Sequence, residues 1–346
     1  MQFYKRSPFL FIYWDERSRV IAFNYNRHTK AIISKEIISI LDSLSEWRSS
    51  REFFGSLDSS YDIKSLRKAM NQLVSLGIVY TKPVAKSDDN PPSRTYWNPV
   101  DLASQRQTSF GGCFPDLIKG KVPSAVKHVR GLNIIQLPNI KQNSRNGFYE
   151  ILERRRSVRN YGKGHINIER LSHFLYSCAR IKRIFNDPVL GGQLTRRPYP
   201  SGGARYPLEI YPVCNNIDGV QKGLYYYDPM RHKLILLSKR NRYQAKFNEL
   251  ILRLQKPMIN REPDVVFVVT AVFARTMWKY QNMGLSLIMK DLGCLYQTMY
   301  LVATEMNLAP CALGLSSEFL VREWLKLDWF VESHIGTFAL GEKGKK

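Results

Sequence analysis

Apolar positions fall into two rhythms along this chain. Residues 9–13 and 20–25 are dense in aromatic and β-branched side chains, which predicts two strands joined by a turn at residues 15–18. From about Lys35, the spacing of Ile37, Ile40, Leu41 and Leu44 predicts a helix. Ile63, Leu66, Met70, Leu73 and Leu76 repeat at three- and four-residue steps behind Asp62, a good N-cap, and Gly77 supplies the stop. A short strand follows at residues 78–80. Between Lys82 and about Asn146 the rhythm fades into a prolyl segment that predicts a connection wrapping the molecule.

A second set of elements begins near residue 148. Helices are predicted at residues 148–156 and 168–179, strands at 208–213, 224–227, 233–237 and 265–271, a long buried helix at 285–306, and a last strand at 337–340. Asp228-Pro229 marks the turn between two of those strands. Helices interleaved with antiparallel strand signals predict an α+β fold. The expected organisation is a small winged-helix-like unit over residues 1–85, a linker over 86–148 and a larger domain over 149–346. The small unit is open to two readings, recognition of a peptide that adds a strand to its sheet edge, or a scaffold.

Composition narrows the classes. The 346 residues carry 52 Lys and Arg against 29 Asp and Glu, a net charge of +23. Residues 1–90 hold 14 basic and 10 acidic side chains, so most of the excess lies beyond them. The basic clusters are dispersed and no nucleic-acid motif accompanies them, so nucleic acid is not the expected partner. Acidic proteins and phosphorylated cofactors remain. The most apolar stretch, residues 285–308, is interrupted by Lys290, Asp291 and Glu305, so no membrane span is expected. The five cysteines form no C-x-x-C pair, and with no secretory signal at the start a reducing cytoplasm is expected.

Three groups of residues carry chemistry. Arg154, Arg155, Arg156, Ser157, Val158 and Arg159 concentrate guanidiniums that an anion would neutralise, and Arg presents a planar fork suited to phosphate. Pro200, Ser201, Gly202 and Gly203 form a loop whose glycines let backbone N–H groups approach a flat ligand. Trp278, Lys279 and Tyr280 place two proton-transfer side chains together.

In this order the three groups resemble the FMN-dependent nitroreductase superfamily, and within it the azoline dehydrogenases of the SagB/ThcOx, or McbC-like, type. Further blocks strengthen the resemblance, Gly223 to Pro229, Lys290 to Gly293, Gln297 to Thr304 and Ala309 to Gly314, and it covers about residues 149–342. It implies a nitroreductase-like FMN domain, an antiparallel-rich sheet flanked by helices. It also implies residue roles. Arg155, Arg156, Ser157 and Arg159 would hold the FMN phosphate and ribityl chain. Pro200, Ser201, Gly202 and Gly203 would lie against the isoalloxazine, Leu313 and Gly314 on its other side, and Gln297 in the same pocket. Lys279 and Tyr280 match the pair associated with azoline oxidation, Tyr280 being the preferred base. Lys343 and Lys345 only loosely echo the family's C-terminal basic residues, and Gln105 stands where a histidine is often found.

The implied reaction is oxidation of a thiazoline or oxazoline to a thiazole or oxazole, in a homodimer. The azoline would be carried on a ribosomal precursor peptide or on an acidic carrier domain of a nonribosomal assembly line, and the charge of +23 tilts toward the carrier. Two other classes stay open, an NAD(P)H-dependent nitroreductase or quinone reductase, and a non-catalytic scaffold.

Overall fold

A computed structural model describes residues 2–58, 62–82, 96–97, 99–110, 147–187, 192–255, 259, 261–314 and 318–344. The N-terminal unit contains β1 (Phe3–Arg6), β2 (Leu10–Trp14), β3 (Val20–Asn24), β4 (Thr29–Ile33), α1 (Lys35–Ser43), β5 (Arg48–Ser49), α2 (Ser50–Gly55), α3 (Ile63–Ser75) and β6 (Val79–Thr81). β2, β3 and β4 form one antiparallel sheet, and β1 lies between β5 and β6 in another. The Asp15 carboxylate closes the β2–β3 turn by accepting from the Arg17 and Arg19 amides. Asp62 caps α3 as its position predicts, accepting from Lys64 N and Ser65 N. α2 was not legible as a helix, yet Ser49 and Glu52 form a reciprocal capping box at its start. Tyr4, Ala22, Leu41, Phe53, Met70 and Ile78 meet in this unit's own core.

The expected linker over 86–148 lies mostly outside the described residues, but its middle holds a helix, α4 (Pro99–Phe110). Proline suits the first helical position, where its missing N–H costs nothing. α4 buries Leu102 and Ala103 with Phe9, Phe23 and Tyr25 of the N-terminal unit and Trp329 and Phe330 of the larger domain. The Phe9 and Phe330 rings stack at 6.0 Å, and Trp97 Nε1 donates to the Phe330 carbonyl at 3.0 Å. The two units therefore share an aromatic joint.

The larger domain adds α5 (Gly147–Arg154), β7 (Ile166–Asn167), α6 (Ile168–Ala179), β8 (Arg183–Asn186), β9 (Gln193–Arg196), β10 (Leu208–Cys214), β11 (Ile217–Asp218), β12 (Gly223–Asp228), β13 (Lys233–Lys239), α7 (Arg242–Gln255), β14 (Val265–Val272), α8 (Ala274–Tyr280), α9 (Gly284–Glu305), β15 (Leu308–Leu313), α10 (Glu318–Leu325) and β16 (Glu332–Glu342). Its centre is a six-stranded sheet in the order β13-β12-β10-β14-β16-β15, antiparallel at every pairing. The α+β expectation is met.

Alternation along β14 shows how the sheet is buried on both faces. Val265, Phe267, Val269 and Ala271 face the cluster built with α6 and α9, while Val266 and Val268 face the one built with Phe247 and Ile251 of α7 and Trp324 of α10. Phe174 of α6 stacks on Phe267 at 5.4 Å. α9 lies close on the sheet at Gly336, where an added Cβ would come within 2.2 Å of the Tyr296 hydroxyl. Among the described residues no helix is long and apolar enough to cross a membrane.

His334 sits buried on β16, its Nε2 2.9 Å from both the Gly336 carbonyl and the Thr337 hydroxyl. Burial disfavours the imidazolium and holds this histidine down to about 4, against an ordinary 6.5. Between those values the unfolded chain binds a proton that the native chain does not. Stability present at neutral pH should therefore fall as pH drops from about 6.5 through about 4, by about 3 kcal/mol. Denaturant midpoints at pH 5 and pH 7 check this, and a His334→Gln variant should lose most of the difference.

Candidate active site

α9 organises the site through two polar side chains, Asp291 and Tyr300, on a mostly apolar buried face. The Asp291 carboxylate accepts from the Ser201 hydroxyl and, at 3.0 Å, from the Gly202 amide. Ser201 Oγ in turn accepts from the Tyr206 amide at 2.9 Å. Burial pushes the Asp291 carboxyl up from its ordinary range, and the two donors from the loop pull it partly back. One carboxylate thus fixes the shape of the glycine loop.

Tyr300 does the same for the arginine block. Its hydroxyl is 2.8 Å from Ser157 Oγ and accepts from the Ala312 amide at 2.7 Å. The Arg155 guanidinium lies 5.4 Å from its ring centroid. α5 ends at Arg154, two residues before the predicted end, because residues 155–159 leave the helix to run beside β15, where Val158 N donates to the Pro310 carbonyl at 2.8 Å. Nine residues of helix separate Asp291 from Tyr300, which is about 14 Å along the axis and half a turn around it. They bracket an exposed stripe carrying Lys290, Gly293 and Gln297.

The anticipated residues sort as follows. Ser157 and Arg159 reach inward to the buried Cys311 thiol, and Arg159 Nε is buried with no hydrogen-bond partner. Arg155 is half-buried, whereas Arg156 is exposed. Leu313 is buried at the end of β15, and Gly314 beyond it opens to space, with nothing within 4 Å of an added Cβ. Gln297 lies exposed on α9, off the buried face.

The Lys-Tyr pair closes the arrangement. α8 ends at Tyr280, and Gln281 takes a left-handed φ of 42°, a strained corner that turns the chain into α9. The corner presses Tyr280 onto the glycine loop. A Cβ added at Gly203, itself at φ +59°, would sit 2.3 Å from the Tyr280 hydroxyl. Lys279 Nζ lies 5.3 Å from the Tyr280 ring centroid. Three sequence groups that are separated by as many as 126 positions, from Arg154 to Tyr280, are gathered along one helix.

Asp291 and Tyr300 were not singled out from the sequence, although both lie in blocks that carry the resemblance. The available signal was a carboxylate on the buried face of an apolar helix, which persists only where donors satisfy it.

An antiparallel sheet covered by helices, with a basic corner and a double-glycine loop braced on one long helix, defines the class as α+β. The model of the nitroreductase family matches residues 152–342, and the chain belongs to that family. A Methanocaldococcus jannaschii protein named as a nitroreductase is 30% identical over 195 residues, which span 56% of this chain and 89% of that protein. The trifolitoxin-processing protein TfxB of Rhizobium leguminosarum is 30% identical over 155 residues, and the microcin B17-processing protein McbC of Escherichia coli 30% over 151. These matches span 43% and 42% of this chain, but only 40% and 53% of those two relatives. Among solved structures, the E. coli microcin synthetase McbBCD complex with truncated pro-MccB17 bound contains a chain that superposes with a TM-score of 0.53 at 21% identity. It covers 75% of this chain and 100% of that one, a likeness of fold.

Gly203→Ala should cost about 1–2 kcal/mol through its left-handed φ and displace the Tyr280 ring. Gly314→Ala, in open space, should stay within about 0.5 kcal/mol. Denaturant unfolding and a crystal structure of each variant measure both effects.

Proposed function

We propose that this protein is an FMN-dependent azoline dehydrogenase of the SagB/ThcOx type, which oxidises a peptidyl thiazoline or oxazoline to the aromatic azole. The observation that carries the reading is the seating of Tyr280 against Gly203, beside Lys279, on a loop braced to the same helix as the arginine block. Members of the nitroreductase family typically bind flavin. The residues present fit one. Arg159 carries a buried, unpaired Nε, the Ser157 hydroxyl stands beside it, and the Gly202–Gly203 backbone offers a flat approach.

In this reading Arg155, Ser157 and Arg159 hold the phosphate, and the exposed Arg156 adds positive field at the rim. Pro200, Ser201, Gly202 and Gly203 line one side of the flavin, and Leu313, Gly314 and Gln297 the other. FMN, if held there, would supply a two-electron acceptor for the hydride from the ring carbon next to the former Cα. Tyr280, as its phenolate, would take the proton from the former Cα and become a neutral phenol, so that two C–H bonds break and the ring gains its second double bond. Lys279 offsets the negative charge that develops as the proton leaves.

Relatives named for processing a microcin and trifolitoxin support a peptide substrate. That tilts the choice of carrier toward a precursor peptide, with the N-terminal unit as its recognition module. The test is a flavin absorbance spectrum followed by mass spectrometry of an azoline peptide. Tyr280→Phe and Lys279→Met should stay yellow while losing about 10²–10⁴-fold in azole formation. Near-normal turnover by either variant counts against its role. NADPH-driven reduction of nitroaromatics would favour a nitroreductase, and colourless protein a scaffold.

We also propose a homodimer. α5 buries none of its residues, and its Phe148 and Tyr149 are 55% and 49% exposed beside α9. Light scattering should give twice the monomer mass, and Phe148→Glu with Tyr149→Glu should return it to the monomer.

A further inference from the structure

Next to the glycine loop, where Ala204 follows Gly203, the larger domain has a solvent-open cavity of about 410 Å³. Its walls are the β8–β9 hairpin, the start of β10, the β12–β13 turn and α8. None of the flavin-assigned residues lines it. Arg197 and Arg205, which do, stand on either side of the Pro200–Gly203 segment in the chain.

The charges around this cavity do not balance. Arg275 pairs with Glu209, which also accepts from the Tyr226 hydroxyl at 3.0 Å. Arg205 pairs with Asp187 at 2.9 Å, their side chains only 6% and 9% exposed. Asp228 is taken up by Arg231 and by two amides of its own turn. Arg197 has no carboxylate partner among the described residues. Its guanidinium makes one long contact, 3.5 Å to the Leu208 carbonyl, and lies 5.2 Å from the Tyr206 ring centroid. Among the described residues the Nε atoms of Arg197 and Arg205 are buried without a hydrogen-bond partner, so neither opens to the cavity. The acceptor that is missing is the one for the Arg197 guanidinium, a cation on the cavity wall with no anion beside it.

We propose that this cavity is a binding site for a carboxylate carried on a flat or aliphatic group. Arg197 holds the carboxylate, Arg205 stays with Asp187, and the indole of Trp278, 4.9 Å from the Arg205 guanidinium, provides the apolar wall. The single uncompensated positive charge matches a monoanion, whereas a phosphate dianion would leave excess negative charge in a partly enclosed space. Strain supports a built site. Ala204 and Tyr206, which line it, hold left-handed φ values of 56° and 45° that non-glycine residues adopt at a cost. The proposal does not depend on the flavin reading, since it uses none of the same side chains.

Isothermal titration of the full chain with benzoate, hippurate, benzamide and inorganic phosphate tests it. Benzoate and hippurate should bind. Tighter hippurate assigns the carboxylate to a peptide terminus and tighter benzoate to a free acid, and either order upholds the site. Arg197→Gln should weaken both by about 10- to 100-fold, with partial recovery in Arg197→Lys and unchanged far-ultraviolet circular dichroism. Soaking 4-bromobenzoate into wild-type crystals should give an anomalous peak in the cavity, a readout that needs no variant. Benzamide or phosphate binding as tightly as benzoate, an unaffected but folded Arg197→Gln, or a cavity without bromine would overturn the proposal.

Discussion

The buried carboxylate of Asp291 is the constraint on which the site rests. A charged group inside an apolar helix face is tolerated only when donors surround it, and the donors here are the Ser201 hydroxyl and the Gly202 amide. The burial that pushes its carboxyl up also makes the loop hard to detach, because releasing Ser201 and Gly202 would leave the acceptor unsatisfied. Loop shape is thereby tied to helix position, and helix position to the sheet through the close approach at Gly336.

Rigid support suits both of the chemistries assigned to this region. The proposed proton removal needs a base held within a narrow range of position, and a loop that moved freely would not hold Tyr280 in one place. Tyr280 gains its place from two opposing restraints, the strained corner at Gln281 and the missing side chain at Gly203. Further along the same loop, the left-handed residues Ala204 and Tyr206 flank Arg205, and all three line the cavity.

The N-terminal unit stands in a different relation to the domain. It has its own core, yet Phe9, Phe23 and Tyr25 are enclosed only with help from α4 and from Trp329 and Phe330. An aromatic joint buries apolar area without demanding the directional pairing of a polar network. It lies just before β16, the strand that carries His334 and pairs with β14.

Local pattern determined much of this architecture. α6 occupies the predicted residues 168–179, β10, β12 and β14 fall within a residue of their expected ends, and α9 is shifted by one. Each carries a periodicity that stays visible because its burial follows one helix face or a fully buried strand. β15 was missed because Pro310 interrupts it, which an edge strand can bear. α4 and α7 escaped because polar residues interrupt the apolar spacing of their sequences. The arginine block, the glycine loop and the Lys-Tyr pair were legible as residue types with shared chemistry. Their convergence on Asp291 and Tyr300, and the grouping of Arg197, Arg205 and Arg275 around a cavity, were decided only by the tertiary structure. Those contacts join residues far apart in the chain, and nothing in local spacing encodes which buried donor will meet which acceptor.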